Sequence, residues 1–192
     1  MLNPSLFQPA VVRIRAFQKA RVELQGLSNA ALAASKRAIF AWHREDPAGA
    51  KKELAAAKKE LSRGISLVKK DVTLGEEGTW RVALEEYTEA YFVSEYFAHG
   101  TIRSLPPEAS DPDILFGALS DLAGECVRRA VRLATNHDAR AVERMLEDVR
   151  GIVELLLQMD LTGHLRAKVD QAKQHLRKLE EIRYDLAMHG GK

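Results

Sequence analysis

Apolar residues recur every three to four positions through almost the whole chain, and the recurrence stops only where proline or glycine stands. That spacing matches the 3.6-residue turn of an α-helix and lays the apolar side chains along one face. The β-branched alternation of a half-buried strand is missing. The 6 Pro and 12 Gly gather at the interruptions, and no repeat, long linker or low-complexity tail intervenes. An all-α fold is therefore expected, as one antiparallel bundle of about six or seven helices spanning residues 1–192.

The breaks divide the chain as follows. A first helix is predicted over residues 9–44, with Val11, Ile14, Leu24, Leu27, Ala31, Ala38 and Trp42 on its stripe. Asp46-Pro47 ends it, because proline disfavours helical geometry in the residue before it, and Pro47 suits the first turn of the next helix. That second helix covers residues 47–70, and Gly75 and Gly78 break the chain after it. A third, over 79–103, is rich in aromatics, with Tyr87, Tyr91, Phe92, Tyr96 and Phe97. Pro106-Pro107 closes it and Asp111-Pro112 opens a fourth over 112–135, which Asn136 stops. Asp138 is placed to cap a fifth, and Thr162 a last one that Gly190-Gly191 ends. Short connections favour antiparallel neighbours.

Apolar residues make up 46% of the chain and charged residues 29%, a balance suited to a packed domain in water. No run reaches the length of a membrane span, and the first residues lack an apolar signal segment. A single cysteine, Cys126, excludes an internal disulfide and falls on an apolar stripe as a core thiol. A cytoplasmic location is the default. The net charge of +2 hides a segregation of sign. Residues 1–70 carry 14 basic and 5 acidic side chains, whereas residues 71–125 carry 2 and 12. A basic segment suits phosphates and an acidic one suits cations, although each is also what a solvated helix face looks like.

Two pairs of acids stand out by position. Glu86 and Glu89 lie on a stripe that continues through Val82, Val93 and Tyr96 or Phe97. Asp121 and Glu125 border the stripe of Leu115, Leu119, Leu122 and Cys126. A buried carboxylate needs a cation, a proton or a metal. If the third and fourth helices pack antiparallel, both pairs can face one crevice. Four carboxylates there would favour a hard divalent cation, Mg²⁺ or Mn²⁺, able to activate water beside a phosphate. Equally, Arg128, Arg129 and Arg132 lie within two turns and could simply pair with the acids.

The first two helices carry basic stripes, Arg13, Arg15, Lys19 and Arg21 on the first and Lys51, Lys52, Lys58, Lys59, Arg63, Lys69 and Lys70 on the second. Such stripes can track a nucleic-acid backbone without reading bases, or lie on solvent or a membrane surface. Ferritin-like di-metal chemistry requires Glu-x-x-His, which does not occur. Arg132 and His137 have the Arg-x4-His spacing of the metal-independent HEPN ribonucleases, but His137 falls where an interhelical turn is expected.

Four segments, in order, resemble one family. They are Ala34 to Arg44 (ASKRAIFAWHR), Glu86-Tyr87-Thr88-Glu89-Ala90, Asp121-Leu122-Ala123-Gly124-Glu125, and Lys178 to Leu186 (KLEEIRYDL) with Gly190. They are similar to segments of the translin family, and within it to translin-associated factor X (Trax) in a compact prokaryotic form. The resemblance implies a helical bundle of about seven helices and binding of single-stranded RNA, extending to single-stranded DNA. It implies self-association into closed shells, often octameric; the alternative is a translin-like shell that binds without cutting. In Trax-type members it implies a Mg²⁺-dependent endoribonuclease whose active-site acids correspond to Glu86, Glu89, Asp121 and Glu125. Because they lie in a matched segment, Lys36, Arg37, His43 and Arg44 are the first-helix residues expected to hold the RNA backbone.

Overall fold

The computed structural model of the protein describes residues 3–108 and 110–189. Its elements are α1 (Gln8–His43), α2 (Pro47–Val68), α3 (Gly78–His99), α4 (Pro112–Thr135), α5 (Ala139–Leu157) and α6 (Gly163–His189). Short 3-10 turns occupy Pro4–Phe7 and Val72–Glu76, and no strand occurs among the described residues. The all-α bundle expected from periodicity is present. The Gly190-Gly191 stop lies outside the described residues.

The helix starts follow from local chemistry. The carboxylates of Asp46, Asp111 and Asp138 accept the N–H groups of Gly49 (2.8 Å), Asp113 (2.9 Å) and Ala141 (3.0 Å). Each satisfies a donor that a helix start would otherwise leave unpaired. Pro47 and Pro112 sit in the first turns of α2 and α4. α3 stops earlier than the predicted residue 103. Gly100 takes a left-handed φ of 72° there, and its N–H donates to the Tyr96 carbonyl at 2.8 Å. This is a glycine C-terminal cap, which the aromatic run obscured.

α1 and α2 form an antiparallel hairpin, with Arg37 reaching Glu53 at 2.8 Å near the connecting turn and Gly64 lying by Leu24 further from it. α5 likewise runs against α6, where Arg150 meets Glu180 at 3.8 Å and Arg183 meets Glu143 at 3.2 Å. α3 and α4 differ from the antiparallel arrangement considered above: they run parallel. Arg81 pairs with Asp111 at 2.8 Å at one end, and Arg129 lies over the Phe97 ring at 4.9 Å at the other. The connection after α3 makes this possible by running back along that helix. Arg103 pairs with Glu95 at 3.1 Å, Ser104 with the Tyr91 hydroxyl at 2.6 Å, and the Tyr87 hydroxyl donates to Glu108 at 3.4 Å. The chain thus re-enters at the starting level of α3, which sets the acids of α3 and α4 side by side.

Two apolar clusters hold the bundle. Leu24, Leu61, Leu74, Trp80 and Tyr87 join α1, α2 and the start of α3. Phe92, Leu122, Cys126, Leu146, Val149 and Leu179 join the rest of α3 with α4, α5 and α6. The fifth-helix stripe of Val142, Met145, Val149, Val153 and Leu156 is buried as expected. The start of α1 is not: from Gln8 to Ala16 only Val11 is even partly covered, and Ile14 is exposed. α1 outruns its hairpin partner, so that part of its stripe has no helix to meet.

Candidate functional site

Glu89 is the centre of the acidic group. Its position on the inner stripe of α3, between buried Tyr87, Ala90 and Val93, leaves its residue only 9% exposed. Among the described residues no ion pair or hydrogen bond holds its carboxylate. Burial pushes that carboxyl up to about 9, and repulsion from Asp121, Glu86 and Glu125 adds to the shift. Without a cation, Glu89 carries a proton at neutral pH.

The other three acids have cations. Glu86 lies 3.8 Å from the Lys36 ammonium, yet burial still raises its carboxyl, with Asp121 and Glu125 adding to the rise against Lys36 and Lys168. Asp121 is bonded to Lys168 of α6, which also holds Glu85 at 2.7 Å. Burial raises Asp121 above the usual carboxylate range, and the Lys168 contact only partly opposes this. Glu125 is bonded to His43 and lies 3.4 Å from Arg128. The four acids therefore feel one another's charge, but they do not form a ready cage. Among the described residues no three His, Cys, Asp or Glu side chains are arranged to hold a metal ion as they stand. Glu86, Glu89 and Glu125 share the wall of a cavity of about 340 Å³ with Lys36, Phe40 and Arg128. Asp121 stands outside that wall.

A second cavity of about 510 Å³ adjoins the first, and Lys36 and Phe40 line both. Arg37, Arg44 and Lys52 also line it, so α1 and α2 bring four of the predicted backbone-binding cations to one groove. Asp46 and Glu53 lie there too, and Glu53 holds Arg37 at 2.8 Å. Lys51, Lys58 and Lys59 are exposed on α2 but do not line the groove, and Lys58 pairs with Glu108 at 3.0 Å. His43 is drawn inward. Its side chain is 12% exposed, bonded to Glu125 and edge-on to Phe97 at 5.8 Å. It stands with the acids and not with the exposed cations. Trp42 fixes that end of α1 against α3 by donating to the Ser94 hydroxyl at 2.8 Å.

Lys168 and Glu85 were missed by sequence reasoning. Lys168 carried a usable signal: it falls between Leu165 and Ala172 on the buried spacing of α6, as Glu89 does on α3. Glu85 offered none, since its partner comes from a distant helix. Of the rival residues, Arg132 donates to the His43 carbonyl and meets Glu45 at 3.3 Å, while His137 occupies a turn with φ 57°. Cys126 is buried, and burial pushes its thiol well up, leaving it in the un-ionised form.

Residues 110–190, comprising α4 to α6, match the translin family model. No curated protein matches the chain. The crystal structure of apo-NeC3PO superposes with a TM-score of 0.87 over 97% of this chain and 99% of that one, at 21% identity. The chain has the C3PO fold. The AfC3PO duplex RNA complex superposes with a TM-score of 0.77 over 97% of this chain and 99% of that one, at 20% identity. A further AfC3PO crystal structure gives 0.75, over 95% and 97%, at 21% identity. In keeping with that fold, no helix among the described residues is long and apolar enough to cross a membrane.

Proposed function

We propose that this chain is a metal-dependent endoribonuclease of the Trax type, acting on single-stranded RNA inside a homo-oligomeric shell in the cytoplasm. One observation carries the reading. Glu89 is a buried carboxyl with no partner, surrounded by three further acids, in a cavity that opens beside a cationic groove. Nothing in the packing of a bundle requires that arrangement, and a fold gains no stability from it. A divalent cation gives it a purpose.

The oxygen donors fit a hard ion, Mg²⁺ or Mn²⁺. Glu86, Glu89 and Glu125 would hold it from the cavity wall, with the Asp121 charge close behind them. Such an ion supplies an activated water and takes up negative charge on a phosphate. The chain's own part is to surrender the Glu89 proton, to keep Lys36 and Arg128 facing the same cavity, and to lead a phosphodiester in along Arg37, Arg44 and Lys52. The RNA duplex in the AfC3PO complex supports an RNA ligand for this fold. The translin family match over α4 to α6 supports the same reading and self-association.

A second reading, a shell that binds RNA or single-stranded DNA without cutting it, draws support from the ion pairs that occupy Glu86, Asp121 and Glu125. End-labelled single-stranded RNA separates the two. We expect cleavage in Mg²⁺, none in EDTA, and a loss of about 100-fold or more in Glu89→Ala with binding retained. Binding without cleavage in Mg²⁺ selects the second reading. Cleavage that continues in EDTA sinks the metal and points to Arg132 and His137.

A further inference from the structure

We propose that Phe40 is a stacking platform for one unpaired base of the bound strand, seated between the cationic groove and the acidic cavity. The inference rests on the nucleic-acid reading above and adds a residue that fixes how the strand lies. Phe40 is 54% exposed, although its neighbours Ile39 and Ala41 are 5% and 2% exposed in the core. The ring belongs to neither apolar cluster of the bundle. Single exposed apolar side chains are common, but Phe40 differs in that its ring lines both cavities, with the Arg44 guanidinium over it.

The surroundings say which ligand. Lys36 and Arg44 lie one turn before and one turn after Phe40 on the same face of α1. The Arg44 guanidinium carbon is 5.1 Å from the ring centroid. Lys36 and Phe40 are the two residues common to groove and cavity, so a strand passing from one to the other crosses this ring. Alternating cation, aromatic and cation is the pattern that holds a single strand: ammonium and guanidinium groups take phosphates, and the ring takes a base face. A base in a duplex already has both faces covered, so the platform accepts only an unpaired one. It also makes no hydrogen bonds to base edges and tolerates every sequence. The cations on either side make an apolar peptide a poor match for the same place.

The test measures binding of a short single-stranded RNA in EDTA by the full-length protein, against the same strand with every base removed. Light scattering records the mass of the assembly in each sample. We expect wild type to prefer the intact strand by about tenfold or more. Phe40→Ala should bind the intact strand about tenfold more weakly and lose that much of the preference, at unchanged mass. Phe40→Trp should restore both. Equal binding of the two strands by wild type overturns the platform, as does a Phe40→Ala protein that keeps the preference. A loss that accompanies a change in mass overturns it too, by assigning Phe40 to an interface between copies. Failure of wild type to bind any RNA at low salt overturns instead the nucleic-acid reading on which it stands.

Discussion

Glu89 couples the stability of the fold to pH. Its carboxyl is raised from 4.5 to about 9, so the folded chain holds a proton there that the unfolded chain releases. The stability contributed by that proton is fully present below pH 4.5 and is lost as pH rises towards 9. Glu89→Gln keeps the shape and removes the titration. We expect it to match wild type near pH 5 and to exceed its melting temperature by roughly 4 °C or more at pH 8, in the absence of divalent ions. A Gln variant that melts lower at pH 8 would show that the charged form has a partner. Glu89 was legible from sequence because an acid interrupts an apolar stripe, and the same rule applied to α6 exposes Lys168. The Arg128–Glu125 pair was legible from its spacing on one helix, but the other ion pairs of Glu86, Asp121 and Glu125 were not. Their partners, Lys36, Lys168 and His43, lie on other helices, and sequence spacing carries no information about contacts between helices.

Helix boundaries were the most readable elements, since an aspartate cap followed by proline or a short polar turn acts within a few residues. Direction was less so. Short connections do give hairpins for α1/α2 and α5/α6, but the segment after α3 is long enough to run back, and α3 and α4 end up parallel. What aligns them is side packing and a few anchors such as Arg81 to Asp111. Helix contact also depends on where a side chain is missing. Gly64 of α2 faces the Trp80 ring so closely that a β-carbon there would strike it. Gly64→Ala would raise helix propensity on an open face, yet here we expect it to destabilise by about 1–3 kcal/mol, read from urea unfolding. A neutral or stabilising result would mean that Trp80 can move aside without loss.

Over the whole molecule the segregation of charge becomes a division of labour between neighbouring surfaces. Cations of α1 and α2 border a groove, and acids of α3 and α4 border the cavity next to it. Affinity for a single strand should therefore fall steeply with salt. Lys52→Ala should weaken binding of all sequences alike and reduce the slope of log affinity against log salt by about 0.7. An unchanged slope would remove Lys52 from the path of the strand. The overhanging start of α1 exposes Val12 and Ile14, at 59% and 51%, on a stretch of helix with no intramolecular cover. Self-association is the simplest way to cover such a face. Val12→Glu with Ile14→Glu should lower the mass seen by light scattering while leaving the melting of the protomer within about 0.5 kcal/mol of wild type. An unchanged mass would place the contacts elsewhere, as on the outer faces of α5 and α6.

Lys168 has one more implication, for the order of events during synthesis. Chains emerge amino end first, and segments can fold as they appear. While α3 and α4 are already outside the ribosome, Asp121 and Glu85 await a counter-charge that is encoded 47 positions downstream of the nearer one. A nascent protein of five helices would thus leave Asp121 and Glu85 without their counter-charge until the final helix docks.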